Sequence, residues 1–202
     1  MLPDPIRKFA DLFAALPGIG PRQARRLAFY LISQGKSVIA ELAKTIYELS
    51  EIKSCSQCFA SYTNPKTTAA LCSVCSDPQR RPDVIAVVEK ETDLISLEKT
   101  KKFPGRYLIL GELKKDGILD AVQKLRLNSL KNFIKRELKG QAEEIVLAIN
   151  PTTYGNINAE MISQELRGAA KNITRLGRGI PTGGEIEFAD EDTLGEALQN
   201  RS

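Results

Sequence analysis

Apolar positions in the first quarter of the chain repeat at intervals of three and four. Ile6, Phe9, Phe13 and Leu16 fall on one helical face, and Asp4-Pro5 ahead of them offers an N-cap and a first-turn proline. That helix is expected to stop at Pro17-Gly18. A second is predicted over 22–33, with Ala24, Leu27, Ala28 and Leu31 as its buried stripe and Gly35 as its end. Ser37 is placed to cap a third, which carries Val38, Leu42, Ile46 and Leu49 on one side. Residues 55–75 lose this period and read as a small loop-rich module of Cys, Ser and Thr with Asn64-Pro65 inside it. Short continuous apolar runs follow at 84–88 (VIAVV), 107–110 (YLIL) and 145–149 (IVLAI), separated by helical patterns at 93–99 and 121–138. Strands alternating with helices predict a parallel α/β sheet. The tail adds a strand-like piece at 173–176, a Gly-rich loop at 177–184, residues 185–188, and a helix over 193–198 behind Asp190, Glu191 and Asp192.

Composition narrows the chemistry. Hydrophobic residues make up 42% of the 202, enough for a buried core. The net charge of +4 is mild, but its distribution is uneven. Between Asp11 and Glu41 there is no acidic residue, while Arg22, Arg25, Arg26 and Lys36 all fall there. The chain contains no histidine, which removes imidazole-based acid–base catalysis and any His ligand to a metal. No apolar run approaches the ~20 residues of a membrane span, and nothing at the start reads as a signal peptide. The expected location is cytoplasmic.

Cys55-x2-Cys58 and Cys72-x2-Cys75 are separated by 13 residues. Two CxxC pairs at this spacing favour one tetrahedral four-thiolate zinc site. A redox role, two disulfides or four unrelated cysteines are the alternatives. A shell closed by four sulfurs leaves no place for substrate, so the zinc is expected to be structural.

Gly18-Ile19-Gly20-Pro21 sits between the first two predicted helices, and its glycines permit tight backbone geometry. Backbone N–H groups at the N-terminus of the second helix favour an anion. Arg22 and Arg26, four apart and opposite the buried stripe, with Arg25 beside them, add charge. The arrangement resembles a helix-hairpin-helix motif that grips the DNA backbone without reading sequence. An ordinary helical turn with a solvated basic face is the alternative.

Glu89 follows the VIAVV run, where the carboxyl ends of parallel strands place functional groups. Catalytic magnesium chemistry needs further carboxylates, and the run into Pro151-Thr152-Thr153-Tyr154-Gly155-Asn156 supplies none. A partner contact or a polar strand end is the expected role of Glu89. The Gly-rich tail lacks the Lys-Ser/Thr ending of a phosphate loop, which leaves a structural or subunit-contact role.

Four signals stand in one order: LPGIGPRQARRLAFYL, CSQC…CSVC-SDPQR, VIAVVEKETDLISLEKT and GIPTGGEIEFADEDTL. In that order they resemble the RecR recombination mediator family across essentially the whole chain. The resemblance implies an α/β multi-module protein. A helical helix-hairpin-helix region is expected at 1–53, a four-cysteine zinc finger at 54–78, a Toprim-like parallel α/β domain at 79–172, and a C-terminal strand/helix segment with a Walker-B-like strand at 173–202. It implies a non-catalytic DNA clamp in bacterial recombinational repair. Such a clamp forms dimers or tetrameric rings and works with RecO and RecF to load recombinase at single-strand gaps.

Matched by position, Cys55, Cys58, Cys72 and Cys75 are the zinc ligands. Arg22 and Arg26, with Arg25, Gly18 and Gly20, form the DNA-contacting hairpin, and Glu89 is the first Toprim acid. Two departures stand out. Tyr154 and Asn156 replace two acids associated with partner contact, notably RecO. Of the loop after Gly111, only Lys115-Asp116-Gly117 follows the family pattern. A Toprim nuclease or primase-like enzyme, and a scaffold that binds protein but not DNA, are the competing readings.

Overall fold

The computed structural model describes residues 2–63 and 70–201, so Asn64-Pro65 lies outside the described residues. The chain divides into two compact units, Met1–Ile52 and Lys53–Ser202.

The first unit is helical. α1 spans Asp4–Ala14, α2 Pro21–Gln34 and α3 Lys36–Glu48. Ile6 and Ala10 of α1 and Ala24 and Ala28 of α2 are buried, and the Phe9 and Phe13 rings stack with centroids 4.0 Å apart. Small residues at 24 and 28 let the hairpin close tightly, as the stripe predicted; Leu27 and Leu31 are half-buried beside them.

The caps differ from expectation. Asp4 lies inside the first turn of α1, where it pairs with Arg7 and Lys8, and Pro3 occupies the cap position. α3 begins at Lys36 behind Gly35, whose φ of +88° reverses the chain and leaves Ser37 no capping role. The apolar side of α3 forms but stays largely uncovered: Leu42 and Ile46 are 41% and 55% exposed, and Leu49, expected on the same helix, opens the 3-10 turn after it and is 64% exposed.

The second unit opens with a small hairpin, β1 (Lys53–Ser54) against β2 (Ser61–Tyr62), and the one-turn α4 (Ser73–Ser76). A four-stranded sheet follows. β3 (Arg81–Val88), β4 (Gly105–Ile109), β5 (Ala142–Ala148) and β6 (Ala170–Arg175) are all parallel, in the order β4-β3-β5-β6. α5 (Glu91–Lys99), α6 (Ala121–Glu137) and α7 (Thr153–Glu165) connect them.

Both faces of the sheet are covered, which is why its strands read as unbroken apolar runs. Ile85, Val87, Leu108, Ile145 and Leu147 cluster with Leu127, Leu130 and Ile134 of α6 and Ile162 of α7. Ala86, Val88, Tyr107 and Ile109 cluster with Leu94 of α5 and the four cysteines.

Asp93 is the third residue of α5, and its carboxylate accepts from the backbone N–H of Lys90 at 2.9 Å. β6 runs across residue 172, so the division drawn between 172 and 173 passes through the edge strand. The strand-like piece expected at 173–176 falls largely in β6, and Ile186–Phe188 is a single 3-10 turn with Phe188 79% exposed. α8 (Glu191–Gln199) closes the chain, capped by Asp190, whose carboxylate accepts from Thr193 N–H at 2.8 Å.

Candidate metal centre and nucleic-acid interface

The four cysteine sulfurs lie within 4.8 Å of one another, and all four residues are buried. Tetrahedral sulfurs at ~2.3 Å from one ion stand ~3.8 Å apart, so the cluster has the dimensions of a single metal site.

Local backbone bonds build it. Cys55 N–H donates to Ala60 O (2.8 Å) and Phe59 N–H to Cys55 O (3.0 Å), closing a tight knuckle in which Phe59 takes φ +64°. The second pair sits at the start of α4, with Cys72 before its first turn and Cys75 inside it. Cys72 N–H donates to the Cys55 sulfur at 3.4 Å, tying the two knuckles together.

The thiols perturb one another strongly. Hydrogen bonding from Cys58, then Cys72 and Cys75, holds the Cys55 thiol far below its ordinary value. Contacts with Cys55, Cys58 and Cys72 push Cys75 far above it. Four sulfurs contending for protons at one point is the situation a cation resolves by holding them all as thiolates. These four residues could therefore hold a metal ion, and among the described residues they form the one group of three or more ligating side chains so arranged.

The module closes the outer edge of β4. Ile109 donates its N–H to the Cys58 carbonyl at 2.9 Å, and its carbonyl accepts from the Arg126 guanidinium at 3.0 Å. Arg126 in turn lies over the Phe59 ring, 4.9 Å from its centroid. Farther along, the Arg80 guanidinium donates to the carbonyls of Phe103 and Gly105, both at 3.2 Å, and pairs with Glu98. Tyr107 adds its hydroxyl to Glu98 at 2.6 Å. Ser61 hydrogen-bonds the Glu91 carboxylate through both its N–H and its hydroxyl, joining β2 to α5. None of these links had a sequence signal, since each joins residues far apart in the chain.

In the first unit, the turn between α1 and α2 begins at Gly18, whose φ of +78° is one that only glycine adopts without strain. Gly20 differs. Its φ is −86°, a methyl group there would meet nothing within 4 Å, and it serves as the N-cap of α2. Gly20 has no side chain to cap the helix and Pro21 has no N–H, so the N–H groups of Arg22 and Gln23 open the helix uncapped. Arg22, Arg25 and Arg26 are all exposed there; Arg25 bonds back to the Pro21 carbonyl through Nε at 3.3 Å. The structure thus gathers the expected residues on one exposed helix start.

Glu89 sits at the carboxyl end of β3 but is largely enclosed, its side chain 12% exposed. It accepts from Leu113 N–H (3.2 Å) and from the Asn150 amide (3.5 Å). Asn156, on the first turns of α7, accepts at one oxygen from Arg175 (2.9 Å) and Arg178 (2.7 Å). The Arg-x-x-Arg spacing that begins at the last residue of β6 was the available signal for this pair, and sequence reasoning passed over it.

Three family models match the chain: the RecR helix-hairpin-helix over residues 6–49, the Toprim domain over 83–177, and the RecR C-terminal region over 179–202. Recombination protein RecR of Gloeobacter violaceus is 36% identical over 201 residues, covering 98% of this chain and 96% of the relative. The RecR of Myxococcus xanthus is 35% identical over 204 residues, covering 100% and 98%. That of Frankia casuarinae is 34% identical over 199 residues, covering 97% and 95%.

Proposed function

From the premise that this chain belongs to the RecR family of recombination proteins, we propose that it is a zinc-stabilised, sequence-independent DNA clamp that mediates recombinational repair without bond-making chemistry of its own. The observation that carries the reading is the uncapped start of α2. Free N–H groups, the positive end of the helix dipole and three exposed arginines converge there, which is the chemistry of a phosphate site. Gly18 and Gly20 keep side chains away from the approaching backbone.

One such site is weak. Self-association places several on one duplex, so that affinity arises by multivalency. The uncovered apolar side of α3 supports an oligomer, either a dimer or a tetrameric ring, because an exposed apolar face is costly in water. RecO and RecF are the partners this role requires, and Glu89 is the partner-facing acid. Zinc is the ion for Cys55, Cys58, Cys72 and Cys75, since four thiolates in a closed tetrahedron suit a redox-inert, borderline-soft metal. Its work is structural: it fixes the knuckle against β4. The cytoplasm, where thiols stay reduced and DNA is at hand, is the compartment for this role.

The test is binding to a gapped duplex across a salt series, with molar mass measured in parallel. Wild type is expected to bind with steep salt dependence and no sequence preference. Arg22→Ala/Arg26→Ala is expected to lose affinity and flatten the salt slope by about two per engaged hairpin while keeping its oligomer mass. An unchanged slope in the double variant would remove these residues from the DNA site.

A further inference from the structure

Within the second unit a cleft of about 1320 Å³ lies between α6, the edge strand β4 and the metal knuckle. Lys124, Asn128, Asn132 and Arg136 recur at every fourth residue and form one ridge, ~18 Å long, on its α6 side. Gln57 lines it from the knuckle and Arg106 from β4. Spread along that ridge, the volume corresponds to a channel on the order of 8 Å across. That is the calibre of one extended chain and not of a double helix.

The cleft is rich in donors that have nothing to donate to. Arg106 is half-buried, its Nε is enclosed with no partner among the described residues, and its Nη1 reaches only the side-chain oxygen of Gln57 at 3.4 Å. A buried guanidinium donor left in this state is costly until an acceptor reaches the group. Glu137 is the one carboxylate lining the cleft, and it stands 3.5 Å from Arg136. Among the described residues Arg106 and Lys124 have no carboxylate within 4.0 Å, whereas Lys131 on the same helix has Glu165. The ridge and its surroundings therefore present uncompensated positive charge flanked by the amides of Gln57, Asn128 and Asn132. Leu125, 62% exposed, and the half-buried Phe133 add apolar surface to the same cleft.

We propose that this cleft holds a single strand of DNA, its phosphates on Arg106 and Lys124 and its bases against the amides and apolar side chains of α6. Cations that track a backbone, beside flat or apolar surface for the bases, are the chemistry of sequence-tolerant single-strand binding. A duplex is too broad to bring a phosphate to the half-buried Arg106. An extended peptide would add to a sheet edge through a run of open backbone groups. On β4 the Gly105 carbonyl is taken by Arg80 and both groups of Ile109 by Cys58 and Arg126, so no such run remains. The site is separate from the start of α2, and the inference stands whether or not α2 binds a phosphate.

The experiment uses the full-length metal-loaded protein carrying Arg22→Ala/Arg26→Ala, so that binding at α2 does not mask the cleft, and wild type beside it. The probe is a dye-labelled oligothymidylate of about twelve nucleotides, followed by anisotropy, with acylation of Lys124 read by mass spectrometry. In both proteins the bound strand is expected to protect Lys124. Added to the double variant, Arg106→Gln is expected to weaken the strand about tenfold and lower the salt slope by about one. Lys124→Glu, at an exposed position that leaves the fold alone, is expected to weaken it at least as much without moving the unfolding midpoint. Three results overturn the proposal: a bound strand that leaves Lys124 unprotected in the double variant, equal affinity with and without the cleft substitutions, or protection of Lys124 as strong from a blunt duplex, from thymidine monophosphate or from oligoglutamate at equal concentration. A failure at α2 reads out differently, since the double variant would then bind like wild type while the cleft substitutions still weakened it.

Discussion

The backbone N–H of Ile109 points away from its own sheet and donates to the carbonyl of Cys58 at 2.9 Å, so a residue of the metal knuckle takes the place of a fifth strand. An open strand edge presents unpaired donors and acceptors that recruit other chains. At Ile109 both backbone groups are occupied, one by Cys58 and one by Arg126. The knuckle whose cysteines could hold a metal ion therefore also occupies this edge position.

Replacing Cys58 or Cys72 with Ser is expected to abolish stoichiometric metal binding and lower the melting temperature by on the order of 10 °C. Chelation under mildly destabilising conditions should do the same to the wild type. Calorimetry with metal analysis checks the loss, and light scattering checks the second expectation, that the stripped protein self-associates. Four thiols that survive removal of metal with no change in melting would sink the coupling.

Arg80, Glu98 and Tyr107 give a pH-dependent contribution. The Arg80 guanidinium, opposed by burial and aided by the Tyr107 hydroxyl, holds the Glu98 carboxyl below its ordinary value. A depressed carboxylate contributes stability that is present above its unfolded value of ~4.3 and is lost as pH falls through the lower folded value. Urea unfolding between neutral pH and pH ~3 should show this loss in wild type and a flatter profile in Glu98→Gln. At neutral pH the variant should be less stable by about 1–3 kcal/mol, since Arg80 keeps two carbonyl contacts and Asp77 at 3.8 Å but loses its nearer counter-ion.

The two glycines of the α1–α2 turn should separate fold from binding. Gly18→Ala forces an L-residue to φ +78° and is expected to cost about 1–2 kcal/mol in urea unfolding. Gly20→Ala meets no neighbour and no positive φ, so its stability should change by less than about 1 kcal/mol. On the proposed phosphate site at the start of α2, its methyl would stand in the way of the approaching anion. DNA affinity should then fall roughly tenfold, the equivalent of one hydrogen-bonded contact. Normal binding by Gly20→Ala would place the phosphate elsewhere.

Gly155 is required by close approach, not by its dihedral. A Cβ there would lie 1.9 Å from the backbone oxygen of Asn150. Gly155→Ala should therefore displace the start of α7 from β5 and destabilise the second unit by about 3 kcal/mol or more. Unfolding followed by near-ultraviolet signal from Tyr107 and Tyr154 would show it; a neutral outcome would mean this turn relaxes freely.

Much of this arrangement was written locally. The CxxC pairs and the VIAVV and IVLAI runs carry their meaning in a few adjacent residues, because ligand spacing and burial on both faces leave short-range patterns. Ala24 and Ala28 could be placed by helical period alone. What could not be read was set by distant neighbours. Nothing near Phe59 announces that Arg126 will lie over its ring, and nothing near Glu91 points to Ser61, thirty residues earlier. Arg175 and Arg178 gained significance only once α7 brought Asn156 between them.

The burial of the cysteines also sets a tempo. All four are 5% exposed or less, so neither a chelator nor an oxidant reaches sulfur until the knuckle lifts from β4. Local opening of this kind has its own free energy, separate from global unfolding. Release of the ion into an excess of chelator would then saturate at a rate independent of chelator concentration, and that plateau is the opening rate of the module. An ion held by these cysteines would in this respect be a timer built into the chain, reporting how often one edge of the sheet comes undone while the rest stays folded.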